Sequence, residues 1–192
     1  MFSLYYRPEN KISIDGKEYT VNTSFDVILR LIDLLKDHSV SDLVKLDMSL
    51  KMLLGDVAET LEYDLITKKE IFNQLFDKFV MDTYKNPKQH DRQGNEMPSF
   101  EEDKKSHYSL KHDASYIYSS FMQAYQIDLV EQQGKLDWLK FQALLSGLPE
   151  GTKFREVISI RQWKKPNKSD TEAKRMAELK EIYKLPGEEE EM

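Results

Sequence analysis

The sequence predicts a mainly α-helical protein, built as bundle-like helical halves with one small N-terminal β-hairpin. Three observations carry this reading. Apolar residues recur at i, i+3 and i+4 through most of the chain, the spacing that lines one face of a helix. Strict alternation appears near the N-terminus, in Lys11–Val21 around Asp15-Gly16. Between Lys85 and Ser106 neither period is present, and Pro87, Gly94 and Pro98 sit among charges of both signs.

The hairpin follows from its turn. Asp-Gly suits a type I′ turn because both central residues take positive φ. Two strands alone bury no face, so the hairpin is expected to lean on the helices after it. The first helix is predicted to open at Thr23, with its hydroxyl capping the amides ahead and Asp26 reaching back. It carries Phe25, Ile28, Leu29, Ile32 and Leu35 and ends near Asp37. A second runs from Ser41 to Leu54, with Leu43, Leu46, Leu50, Leu53 and Leu54 on one stripe and Gly55 as the stop. A third opens on the capping-box spelling Thr67-Lys68-Lys69-Glu70 and continues through Ile71, Phe72, Leu75, Phe76, Phe79 and Val80.

The aperiodic stretch 85–106 is read as a mobile linker between an N-terminal part, 1–84, and a C-terminal helical part, 107–185. Residues 186–192 form an acidic tail. In the C-terminal part Asp113 is placed to cap a helix bearing Ala114, Ile117, Tyr118, Phe121, Met122 and Tyr125. The next, Leu136 to Ser146, turns Trp138, Phe141, Leu144, Leu145 and Leu148 one way before Gly147 and Pro149 end it. Thr152 starts another with Phe154, Val157 and Ile158, and a last helix, Asp170 to Lys184, shows Ala173, Met176, Leu179, Ile182 and Tyr183. The rings Trp138 and Phe141 suit either a core or a contact surface, since large aromatics dominate both.

Composition narrows the function. Cysteine is absent, which removes disulfides, thiolate catalysis and Cys-ligated metals. A net charge of −6 disfavours general nucleic-acid binding. No stretch reaches the roughly 18–20 apolar residues of a membrane span, and the start "MFSLYYRPEN" lacks the spelling of a secretory signal, so a cytoplasmic protein is expected. With seven glycines and no two placed to cradle a phosphate, no nucleotide loop can be read. His107 and His112 are five apart, which does not stack two ligands on a helix face. Paired carboxylates such as Asp33 and Asp37 fit solvated faces. No catalytic, metal or cofactor site is therefore expected. The run Arg161-Gln162-Trp163-Lys164-Lys165, with Lys168, reads as the solvated basic end of a helix rather than a nucleic-acid site.

Taken in order, "DASYIYSSFMQAYQIDL", "LDWLKFQALLSGLPEGTKFREVISIRQW" and "AELKEIYKLP" resemble the tail-assembly chaperone family of long-tailed (siphovirus-type) bacteriophages and prophages of Gram-positive bacteria. The opening "ISIDGKEYTVNTSFDVILRLIDLL" is similar to that family's start. One departure is Trp138-Leu139, where members often have two adjacent tryptophans. The resemblance implies a non-enzymatic role. Such a chaperone binds the tape-measure protein, keeps it soluble and promotes tail tube assembly in the host bacterial cytoplasm, without remaining in the mature virion. It implies the tape-measure protein as main partner, with the major tail protein and self-association as further contacts, and no nucleic acid or membrane. Tyr118, Met122, Trp138, Phe141 and Trp163 are the candidate protein-binding residues. The rival reading is a structural tail completion or connector protein retained in the virion.

Overall fold

The computed structural model describes Tyr5 and residues 9–60, 62–81, 107–164 and 171–186. Among these lie eight α-helices and a two-stranded antiparallel sheet, the mainly α architecture with one small hairpin that the sequence predicts. The chain forms two compact units, Met1–Glu96 with Gln132–Ala143 and Met97–Glu131 with Leu144–Met192. Chain order and unit order therefore differ, because Gln132–Ala143 folds with N-terminal residues. The stretches expected as linker, 85–106, and as the acidic run Glu188–Glu191 lie outside the described residues.

In the first unit, β1 (Lys11–Ile14) pairs with β2 (Lys17–Thr20) in the register Lys11↔Thr20 to Ile14↔Lys17. Asp15 and Gly16 take φ of 49° and 76°, as a type I′ turn requires. Ile12 and Ile14, two apart on one strand, share the buried face. The Tyr63 hydroxyl donates to the Asp15 carboxylate, tying the turn to the segment before α4.

Helix α1 spans Phe25–Lys36 and buries Phe25, Val27, Ile28 and Leu31. Its cap differs from the sequence expectation. Ser24 is the N-cap residue, without a side-chain capping bond. Thr23 instead donates to Asp137 Oδ2 at 2.6 Å, and Asp26 accepts from Gly134 N and Arg30 Nη2, each at 2.8 Å. Tertiary partners have taken both groups of the expected capping box.

Helix α2 (Asp42–Leu54) buries Leu50, Leu53 and Leu54, but Leu43 at its other end is 57 % exposed. The stripe read from sequence is thus buried only toward the C-terminal end. Gly55 stops the helix at φ 65°, ψ −148°, a region essentially reserved for glycine rather than the left-handed helical one. A short α3 (Val57–Thr60), not foreseen from sequence, follows. Helix α4 (Leu65–Phe76) begins earlier than expected: Asp64 is the N-cap, accepting from Thr67 N at 2.8 Å, so Thr67 is capped rather than capping. A π-helical turn, Asp77–Met81, continues it and delivers the adjacent Phe79 and Val80 to the core.

The second unit contains α5 (Ala114–Tyr125), α7 (Lys153–Gln162) and α8 (Thr171–Ile182), while α6 (Trp138–Ser146) begins in the first unit and ends in the second. Ser120 lets α5 and α7 meet: its hydroxyl accepts from Phe154 N at 2.9 Å and donates to Tyr116 O at 2.7 Å. Tyr108 packs edge-on against Phe154, with centroids 5.5 Å apart. Asp113 occupies the N-cap position of α5 but makes no side-chain cap. Its carboxylate accepts from Ser109 N and both terminal nitrogens of Arg161.

Arg161 corrects a second expectation. It is not part of a solvated basic end: it is 7 % exposed, and its remaining donors reach Tyr183 O and His107 O. One guanidinium thus joins the segment before α5, the start of α5 and the segment after α8. Along the stripe expected for α8, Ala173 is buried, Met176, Leu179 and Tyr183 are half-buried, and Ile182 is 72 % exposed.

Candidate functional site

The first unit carries an open groove of about 1170 Å³. Its apolar lining comes from Val21, from Val27 and Leu34 of α1, and from Met48, Met52, Leu53 and Leu54 of α2. Val21, Val27, Leu53 and Leu54 are buried beneath the groove, Leu34 and Met52 are half-buried, and Met48 is 46 % exposed, so the accessible apolar floor is Met48, Met52 and Leu34. Unbranched methionines adapt to the shape of what lies on them.

Four cations stand around this floor: Arg30 on α1, Lys51 in the last turn of α2, Lys135 ahead of α6 and Lys140 on it. Asp137 is the lining carboxylate, and it is engaged with the protein, accepting from Thr23 Oγ1 and from Leu139 N at 3.0 Å. Arg30 pairs with Asp26, and Lys51 with Glu59. The hydrogen bond between the latter two raises the Lys51 pKa and lowers that of Glu59, so both stay charged. Lys135 and Lys140 make no ion pair with another described residue.

The wall bearing these two lysines is held by Gln132–Ala143. Phe25 N donates to Leu136 O at 2.9 Å, and Trp138 N to Thr23 O at 2.8 Å. Beneath them Phe141 stacks on Phe25 with centroids 4.9 Å apart and on Trp138 at 5.6 Å. Trp138 is 0 % and Phe141 1 % exposed. Of the two readings open for these rings, the structure gives the core: they position the groove wall and present no surface of their own.

The five candidate residues divide between the two units. Trp138 and Phe141 belong to the first unit, and Tyr118, Met122 and Trp163 to the second. Tyr118 and Met122 lie one turn apart on α5. The half-buried Tyr118 donates to Asp128 Oδ2 at 3.1 Å, a bond that holds its proton and raises its pKa. Met122 is 40 % exposed. Trp163 caps α7, half-buried, with its carbonyl accepting from Lys180 Nζ. The groove itself escaped sequence reasoning. Its cations come from three separate segments, and the one local signal was the pair Lys135 and Lys140 flanking Asp137.

Among the described residues no group of three or more His, Cys, Asp or Glu is placed to hold a metal ion. Among them, too, no helix is long and apolar enough to cross a membrane.

Fold and groove together define a mainly helical protein whose first unit carries an open groove with an apolar floor and a cationic border. Residues 9–185 match the family described as Bacteriophage Gp15 protein, and the chain belongs to that family. No curated protein and no solved structure matches it.

Proposed function

We propose that this phage protein is a non-enzymatic tail-assembly chaperone. It binds the tape-measure protein in the host cytoplasm, keeps it soluble, promotes tail tube assembly around it and is absent from the finished virion. The major tail protein and further copies of the chain are its secondary contacts. The observation that carries the reading is the groove: an apolar floor with exposed methionine, ringed by charge, can cover a client's apolar stripe and release it again. Membership of a phage family and the resemblance in segment order support the same direction.

The test is co-expression with the tape-measure protein of the same phage. The client is expected to move from the pellet to the soluble fraction and to co-purify with the chain. Unchanged client solubility, or the chain at stoichiometric levels in purified particles, would overturn the reading in favour of a structural tail component.

A further inference from the structure

We infer that the groove of the first unit takes an amphipathic helix whose apolar stripe is flanked by acidic residues. The inference deepens the reading of the groove as a client site and rests on it only for the client's identity.

The floor and the rim make separate demands. The accessible part of the floor, the half-exposed Met48 with the half-buried Leu34 and Met52, gains by being covered. An occupant must therefore present an apolar stripe, and a helix does so at i, i+3 and i+4. The rim sets the charge. Among the described lining residues four cations face one carboxylate, which is already hydrogen-bonded to Thr23 and Leu139. Arg30 and Lys51 share their charge with Asp26 and Glu59, which leaves Lys135 and Lys140 as the cations without an ion pair to a described residue. Both are exposed and stand five apart on one wall. Carboxylates flanking an incoming stripe complete these pairs, and lysines there would be repelled. A nucleic-acid strand would satisfy the cations, but among the described residues lining the groove there is no aromatic side chain on which bases could stack, and the apolar floor would go uncovered.

The experiment uses the full chain and three labelled helical peptides with one leucine stripe, flanked by glutamate, glutamine or lysine, plus a labelled single-stranded oligonucleotide. Binding is read by fluorescence anisotropy at two salt concentrations. The glutamate peptide is expected to bind best, more weakly at high salt, and at least roughly tenfold more weakly to the Lys135→Glu/Lys140→Glu variant. Met48→Glu, at a position already half exposed, should weaken all three peptides through the floor. Circular dichroism and melting verify that both variants fold. Equal binding of the lysine or glutamine peptide, an acidic peptide indifferent to the charge reversal, or preferential capture of the oligonucleotide overturns the inference.

The client assay separates this from the functional reading. If the glutamate peptide behaves as expected while the double variant still solubilises the tape-measure protein, the inference stands and the client uses another surface. If the double variant loses the client but no peptide binds, the client reading stands and the acidic-helix inference falls.

Discussion

Arg161 and Asp113 form a two-pronged ion pair, Nη1 to Oδ2 at 2.7 Å and Nη2 to Oδ1 at 2.8 Å, with side chains only 6 % and 1 % exposed. Removing one partner leaves the other charge buried and uncompensated, a penalty larger than the net gain from forming such a pair. Arg161→Met or Asp113→Asn is expected to destabilise the second unit by about 3–5 kcal/mol. Replacing both residues with apolar ones of similar volume should recover much of that loss. Chemical denaturation of the single and double variants measures it, and additive losses would contradict the coupling.

Trp138→Ala removes a ring from the Phe25–Phe141–Trp138 stack and should cost about 3–5 kcal/mol. Because Trp138 is wholly buried, its effect on client binding should follow the fraction folded. A variant that melts like the parent would remove Trp138 from the core.

Gly55 holds a backbone conformation that L side chains rarely adopt, and a Cβ there would meet nothing within 4 Å. Any loss in Gly55→Ala is therefore backbone strain, about 1–3 kcal/mol. Gly16→Asn should cost less, since Gly16 sits at φ 76° in a type I′ turn where asparagine is well tolerated. Comparable melting shifts for the two variants would refute this ranking.

Acid should loosen two exposed helix-flanking segments first. Asp64 has a lowered pKa, chiefly from the Thr67 backbone amide, and Asp37 likewise, chiefly from the Ser39 hydroxyl. Carboxylates with depressed folded pKa values contribute stability that is complete above the unfolded value and disappears as pH falls through the folded one. The protection of the Thr67 and Ser39 amides, taken relative to their intrinsic exchange rates, is thus expected to fall below the ordinary aspartate range, and Asp64→Ala should remove that pH-dependent change at Thr67. Protection that persists in that variant would exclude the cap as its cause.

The hairpin and most helices were legible because their signals are local: a turn dipeptide, an apolar period, a glycine stop. The caps were less so. Thr23 and Asp26 spell a capping box, yet their best partners, Asp137 and Gly134, lie more than a hundred residues away. Arg161 was misread for the same reason. Its neighbours Trp163 and Lys164 suggest a solvated end, while its counter-charge 48 positions earlier looked like a helix cap. The groove was invisible because no single segment contains both its floor and its rim. Its apolar lining comes from the segment before α1, from α1 and from α2, while Lys135 and Lys140 come from around Asp137.

The stacking of Phe25 on Phe141 also sets a timetable for synthesis. Translation at about 5–20 residues per second puts roughly 6–23 s between the appearance of these two rings. During that interval the nascent first unit lacks the strip Gln132–Ala143 that covers Phe25. A ribosome paused before Phe141 would therefore hold an N-terminal region with an unfinished core.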